Sequence, residues 1–330
     1  MNAEEILLLT PREIQGLLSI DECIVAVEHA FHLHGEGKAA PPGVLSMHTH
    51  DGGFHVKAGV LELSRPYFGA KVNGNFAENG KRFGLPTIQG VIVLCDAEKG
   101  SPLAVMDSRG ITSLRTGAAT AVAAKYLACR DSHTATICGC GNQGRIQVRA
   151  LSRVCNLQNV FAYGKSEEQA LRFARNLTEE LAIPVTSVTD LPVAVRRSDI
   201  CVTCTPSRQP LLGSDVRPGT FIAAVGADSP EKQELHSSLM AKSKIVTDIL
   251  QQCAVMGDLH HALDAGVLTQ ADVYAELGDV VSGKKLGRES DDEIIIFDST
   301  GMALQDVAAA AFVYEKAERQ GSGVRLSFAA

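Results

Sequence analysis

The chain has no uncharged apolar stretch of the roughly 18 residues that a membrane-spanning helix needs, so none of its hydrophobic runs reads as a transmembrane segment. Its start, MNAEEILLLTPRE, is acidic where a secretory leader is basic and then apolar, and a soluble, cytoplasmic protein is expected. Positive charge is also short: 31 Lys and Arg stand against 38 Asp and Glu, a net charge of −7. With no Lys/Arg cluster to override that balance, a phosphate-tracking nucleic-acid surface is excluded. Small molecules are the expected partners, with no nucleic acid and no membrane.

A disulfide framework is missing too. The nine cysteines are odd in number and scattered, and a chain of 330 residues does not need such staples, so reduced thiols are expected. Cys138 and Cys140 with Cys201 and Cys204 have the look of a zinc set. Both pairs fall in or at the ends of apparent parallel strands, where small buried cysteines are common. His48 with His50, and His260 with His261, lack an acidic or cysteine partner at a recognisable spacing. No metal is expected.

What the chain does have is 45% hydrophobic residues, enough for a large core and, at this length, for two domains. EILLLT at 5–10 reads as a strand, Pro11 as a helix start, and IDECIVAVEHAFHLHGEGKA as a helix ended by Gly35 and Gly37. From Pro41 to Asp107, short apolar or alternating runs separated by Gly, Asn and Pro predict an antiparallel sheet, with EKGS at 98–101 as a hairpin turn. An Ala-rich helix is expected from about Ser113 to Leu127. Beyond it NVFAY, IPVTSV, DICVTC, TFIAAVG, KIVTDI and EIIIFDST are near-continuous apolar runs alternating with helical segments, the pattern of parallel strands covered on both faces. MALQDVAAAAFVYEKAERQ is a last helix, and the charged GKKLGRESDDE at 283–293 reads as a mobile surface loop.

Between that Ala-rich helix and the alternating half lies TATICGCGNQGRIQVRA, with Gly139, Gly141 and Gly144 in G-x-G-x-x-G spacing. Gly139 permits a tight strand-to-helix reversal, Gly141 keeps no Cβ in the way of a pyrophosphate, and Gly144 lets the helix pack close to the sheet. The amides at the helix start, near Asn142 and Gln143, would face the phosphates.

The words TIQGVIVLCDAEKGSPLAVMDS, SLRTGAATAVAAKYLA, ICGCGNQG, AVGADSPEKQELH and FDSTGMALQD, in this order, resemble the ornithine cyclodeaminase/mu-crystallin family from about Lys71 to Ala310. The resemblance implies an α/β fold: a Rossmann-type parallel-sheet domain, 116–300, and a discontinuous α+β substrate-binding and dimerisation domain, 1–115 and 301–330, that pairs through its sheet into a homodimer. It also implies nicotinamide hydride chemistry at the Cα of a small amino or imino acid. By that resemblance, Lys71 in GAKVNGN and Arg115 in SLRTG hold the positions of catalytic or substrate-carboxylate cations, and Asp228 matches an acid/base aspartate that exchanges a proton with the substrate nitrogen. The plainer alternative for Asp228 is a helix N-cap before SPEKQEL.

Cofactor contacts are expected from Gly139, Gly141, Asn142, Gln143 and Gly144. Others are expected from Thr116 at a helix start, from Thr203 and Thr205 after one strand, and from Val225, Gly226 and Lys232 around another; Ser299 is expected on the nicotinamide side. After NVFAY the chain offers Lys165 and Ser166 where an NAD-binding site would place an acid, so NADP(H) is preferred and NAD(H) second. The alternative is a surface lysine and a capping serine. The family commonly has an Arg where this chain has Gly43, and cyclodeaminases have a Glu where it has His55; Lys57 faces the same side as His55 and is a candidate for the missing cation. Three functions stay open: a reductase of a small α-imino acid such as pyrroline- or piperideine-2-carboxylate, or the reverse dehydrogenase; ornithine cyclodeamination; and non-catalytic storage of NADPH or a small ligand.

Overall fold

The computed structural model describes residues 5–327. It divides into two compact units, Met1–Arg115 with Met302–Ala330, and Thr116–Gly301. Residues 1–4 and 328–330, part of the expected outer domain, lie outside the described residues.

In the outer unit, β1 (Glu5–Leu9) runs into α1 (Pro11–Leu17) and then α2 (Ile20–Gly35). Thr10 with Glu13, and Ser19 with Glu22, exchange side-chain and backbone bonds at the two helix starts, so each helix opens on a capping box. Next come β2 (Gly43–Thr49), β3 (Gly52–Glu62), β4 (Pro66–Asn75), α3 (Asn79–Phe83), β5 (Ile88–Asp96) and β6 (Pro102–Asp107). The five strands β2 to β6 form an antiparallel meander, and Gly100, at φ 72°, makes the expected hairpin turn between the last two.

Helix α4 (Ser108–Leu127) begins at Ser108 rather than Ser113, because the Asp107 carboxylate accepts the Arg109 amide as the strand ends. The boundary between the units falls inside this helix.

The inner unit alternates as expected: β7 (Thr134–Cys138), α5 (Asn142–Leu151), β8 (Asn159–Tyr163), α6 (Glu167–Leu181), β9 (Val185–Ser187), α7 (Leu191–Arg196) and β10 (Ile200–Thr203). It continues through β11 (Arg208–Leu212), β12 (Phe221–Ala224), β13 (Gln233–Leu235), α8 (Ser237–Met240), β14 (Lys244–Thr247), α9 (Leu250–Met256), α10 (Asp258–Asp264), β15 (Ala275–Glu276), α11 (Leu277–Val281) and β16 (Ile295–Asp298). The chain then returns to the outer unit as α12 (Ala303–Gln320) and β17 (Val324–Ser327).

The inner sheet has eight strands in the order β15-β14-β16-β12-β10-β7-β8-β9, and each pairing is parallel. Chain direction reverses its spread between β7 and β10, so the carboxyl ends of those two strands form the switch-point crevice where doubly wound sheets bind ligands. The charged 283–293 segment is not a free loop. Lys244 Nζ donates to Gly287 O, Glu289 and Glu293, and Arg288 Nε donates to Leu127 O at 2.8 Å.

The outer sheet runs β17-β1-β6-β5-β4-β3-β2. It is not wholly antiparallel, since β1 pairs parallel with β6, and the short β17, unforeseen in the sequence, covers the outer edge of β1. One face packs on α12. Cross-strand partners Gly59 and Gly69 let the helix approach, as a Cβ on them would stand 2.8 Å from Leu304 and 2.9 Å from Val307. The opposite face carries Leu45, Met47, Phe54 and Val91, which are 54%, 49%, 40% and 42% exposed.

Candidate active site

Two residues along the face that receives α12, Lys57 and Lys71 sit opposite each other across β3 and β4, and both are buried. Lys71 Nζ donates to Asp306 Oδ2 at 2.7 Å, and Arg115 Nε donates to Asp306 Oδ1 at 3.1 Å. Arg115 also donates to Gln305 Oε1 at 3.1 Å. One carboxylate from the first turn of α12 therefore bridges cations from a strand and from α4. Burial, reinforced by the Arg115 and Lys57 charges and opposed by Asp306, brings Lys71 down to about 7. Burial pushes Asp306 up, but the charges of Lys71 and Arg115 prevail and hold it below the usual carboxylate value.

His55 lies on the same face, opposite Asn73, with Nδ1 3.0 Å from Ser46 Oγ. Lys71, Arg115, Lys57 and His55 thus belong to one face of the outer unit. Asp306 and Gln305 were missed from the sequence. A charged residue inside the buried run Ala303–Ala311 was the available signal.

In the inner unit the three glycines have separate reasons. Gly139 sits at φ 122°, in the left-handed region, and a Cβ on Gly144 would meet Gly139 O at 2.0 Å. Gly141 is the N-cap of α5 and offers no side-chain cap, and nothing lies within 4 Å of the place its Cβ would take. The start of α5 therefore has no side-chain cap from Gly141 and borders open space. Asn142 and Gln143 begin the helix, and Gln143 Oε1 is buried with no hydrogen-bond partner. A helix start with no side-chain cap, open room beside it and the unpartnered Gln143 Oε1 fits a pyrophosphate.

Ser166 caps α6 by accepting the Gln169 amide, so its capping role is realised, and Lys165 precedes it on the loop after β8. Thr116 is not at a helix start: it lies well inside α4.

The ends of β10 and β12 carry Thr203, Thr205, Val225 and Gly226 together, since Thr203 accepts the Val225 amide. Asp228 is not a helix N-cap. The SPEKQEL segment forms a turn and then β13, and the half-exposed Asp228 carboxylate accepts from Lys232 Nζ at 2.5 Å. Ser299 Oγ donates to Asp248 Oδ2 at 2.9 Å.

Behind these loops lies a row of buried acids. Glu234 accepts from Thr205 and Gly226, and Asp258 Oδ1 accepts the Glu234 and Leu235 amides, each at 2.8 Å. Asp298 accepts the Asp258 and Leu259 amides, and Asp248 accepts the Gly301 amide. Burial, with the Asp258 charge next, pushes Glu234 up to about 7. Burial also raises Asp258, and burial with the charges of Asp258 and Asp248 raises Asp298. Cys138 and Cys201 are wholly buried within β7 and β10. Among the described residues no group of three or more His, Cys, Asp or Glu is arranged to hold a metal ion.

A doubly wound parallel sheet with a glycine cradle, joined to an α+β unit with buried cations, places the chain among α/β proteins of the Rossmann type. It belongs to the ornithine cyclodeaminase/mu-crystallin family, which it matches over residues 4–321. It is 42% identical over 325 residues to an alanine dehydrogenase of Archaeoglobus fulgidus, covering 98% of this chain and 99% of the other. Among solved structures, an archaeal alanine dehydrogenase dimer with bound NAD superposes with a TM-score of 0.93 at 42% identity, covering 98% of this chain and 100% of that one. The Thermococcus litoralis Delta(1)-pyrroline-2-carboxylate reductase, in complex with NADH and L-proline, gives 0.91 at 35% identity, with 97% and 99% covered.

Removing the bridging carboxylate leaves two buried cations facing each other. Asp306→Ala is expected to cost about 3–5 kcal/mol, measured by urea unfolding; a loss within 1 kcal/mol, on the scale of a roughly neutral exposed pair, would contradict the bridge.

The raised acids of the inner unit set a second expectation. Between the unfolded value of 4.5 and about 7, native Glu234 keeps a proton that the unfolded chain has released. Its contribution is therefore full below 4.5 and is lost as pH rises through 7. Asp258→Asn removes one raised acid and the charge that helps raise Glu234, while its Oδ1 still accepts both amides. Thermal unfolding midpoints should fall from pH 5 to pH 7.5 in the parent and fall less steeply in the variant. Parallel slopes would contradict the coupling.

Proposed function

We propose that the chain is an NAD(P)H-dependent reductase of a small α-imino acid, running in reverse as an amino-acid dehydrogenase. The observation that carries this reading is the buried Lys71–Asp306–Arg115 bridge beside Lys57, an excess of cations held for an anionic substrate. Arg115 and Lys57 take the substrate carboxylate, and His55 lines the same face. Lys71, near 7, has both protonation states within reach at neutral pH and so suits proton exchange. Asp228 exchanges the proton of the substrate nitrogen once Lys232 releases it. Gly139, Gly141, Asn142, Gln143 and Gly144 would hold the dinucleotide, which would supply the hydride for the imine carbon.

The alanine dehydrogenase and pyrroline-2-carboxylate reductase relatives support a substrate of small size. NADP(H) is placed ahead of NAD(H) because the loop after β8 offers Lys165 and no acid before Glu167. The relatives solved with NAD and NADH make NAD(H) the second cofactor of this reading. Cofactor contacts from Thr116, Ser166, Thr203, Thr205, Val225, Gly226, Lys232 and Ser299 belong to the same proposal.

The test supplies pyruvate with ammonia, pyrroline-2-carboxylate and piperideine-2-carboxylate in turn, each with NADPH and with NADH, and ornithine with catalytic NAD. Stoichiometric loss of nicotinamide absorbance with one of the imino substrates is expected, faster with NADPH. Asp228→Asn should lower kcat about 100-fold or more while the protein still binds cofactor. Ammonia from ornithine without net reduction would replace this reading with cyclodeamination. Binding without turnover of any of these would replace it with ligand storage.

The exposed apolar face of the outer sheet, with Leu45, Met47, Phe54 and Val91, supports a homodimer through that face, and the archaeal alanine dehydrogenase relative is itself a dimer. Light scattering should give twice the chain mass for the parent and a single chain mass for a Phe54→Glu, Val91→Glu double variant. An unchanged dimer in that variant would place the interface elsewhere.

A further inference from the structure

Resting on the reading that the inner unit holds a dinucleotide, we propose that Glu234 is a positioning residue for the nicotinamide half. Its one carboxylate ties the loop after β10 to the loop after β12. Oε1 accepts both the Thr205 amide, at 2.6 Å, and the Thr205 hydroxyl, at 2.7 Å, while Oε2 accepts the Gly226 amide at 3.0 Å. The residue is fully buried, and its own amide is fixed by Asp258 Oδ1 at 2.8 Å. Strands β10 and β12 are parallel neighbours, so both tied loops lie at the carboxyl edge of the sheet, the edge that binds ligands.

The tie is close. A Cβ on Gly226 would stand 2.4 Å from Glu234 Oε2 and 2.5 Å from Thr205 O, so the two loops and the carboxylate occupy each other's only space. From there the constraint spreads to both sides. Gly226 O accepts the Asp228 amide at 3.2 Å, and Thr205 Oγ1 accepts the Ser207 amide at 3.1 Å. Glu234 therefore sets where the segment bearing Asp228 leaves the strand.

The chemistry of the three donors selects an acid. Once ionised, above about pH 7, the Glu234 carboxylate is all acceptor, and three N–H or O–H groups converge on it; an amide of the same size would turn its NH2 toward one of them. A buried carboxylate costs far more than an apolar side chain of equal volume. The hydrogen bonds that offset this cost run into the two ligand-edge loops rather than into the core.

The test uses the full-length protein and its Glu234→Gln variant, titrated with NADH and with NADPH by nicotinamide fluorescence, which no tryptophan of this chain obscures. ADP-ribose and its 2′-phosphate, which lack the nicotinamide, are titrated by calorimetry, and circular dichroism follows the fold. A role in positioning the nicotinamide half predicts dissociation constants for the reduced dinucleotides about tenfold higher in the variant, the scale of one lost bond to a charged acceptor. It predicts unchanged constants for the ADP-ribose compounds, whose cradle from Gly139 to Gly144 is untouched.

A merely structural role would lower the melting temperature and leave that ratio near one. Equal loss for both ligand classes, or no loss for either, overturns the proposal. Should the Gln variant not fold, Thr205→Val removes a single donor, and the same split, about threefold, is expected; its absence overturns the proposal as well. Parent protein that binds neither NADH nor NADPH would instead overturn the dinucleotide reading itself, and this inference with it.

Discussion

Asp306 reaches two cations that the chain supplies from far away, Lys71 from β4, 235 positions earlier, and Arg115 from α4, 191 positions earlier. Each of those cations, buried alone, would carry a desolvation cost of several kcal/mol. The carboxylate that balances them belongs to α12, after the whole inner unit has been made. The outer unit therefore acquires its charge balance only when its last helix docks, and the glycine pair Gly59 and Gly69 gives that helix the close seat it needs. Discontinuity in the sequence and the construction of the cation site are one constraint.

The two units use opposite electrostatics. In the outer unit two buried cations flank one bridging acid, and burial, with the charges of Arg115 and Lys57 next, brings Lys71 down to about 7. In the inner unit acids crowd together: Glu234, Asp258, Asp298 and Asp248 follow one another beneath the strand ends and are satisfied chiefly by backbone amides. Burial, with neighbouring acid charge next, raises Glu234 and Asp298 and makes that row a sensitive place for charge. One unit gathers buried cations around a single acid, while the other gathers buried acids around main-chain amides.

Much of the fold was legible because its signals are local. Apolar runs of strand length marked the parallel sheet, and the G-x-G-x-x-G spacing marked the turn after β7. Lys71, Arg115 and Asp228 are singled out in the sequence by words shared with a family. Asp306, the shared partner of Lys71 and Arg115, is not, because a partner is a property of the folded chain: nothing near Lys71 in the sequence points to a residue in the final helix. The start of α4 was misplaced because Asp107 reads as a strand residue and acts as a cap. β17 was missed because four exposed residues at a sheet edge have no burial pattern to display.

Glycine gives the clearest case of a signal with two meanings. In the sequence, glycines between apolar runs read as turns, and Gly100 and Gly139 satisfy that reading with positive φ. Gly226 and Gly257 do not. Their backbones are ordinary, and each lies against a buried carboxylate: a Cβ would stand 2.4 Å from Glu234 and 2.5 Å from Asp298. A buried acid can be satisfied by main-chain amides only if the main chain comes close enough to donate, and a side chain at the point of approach prevents it. Glycine and acid are thus two halves of one device. Neither half can be changed alone, which explains why residues that look like loop filler border the acids holding the ligand edge of this sheet.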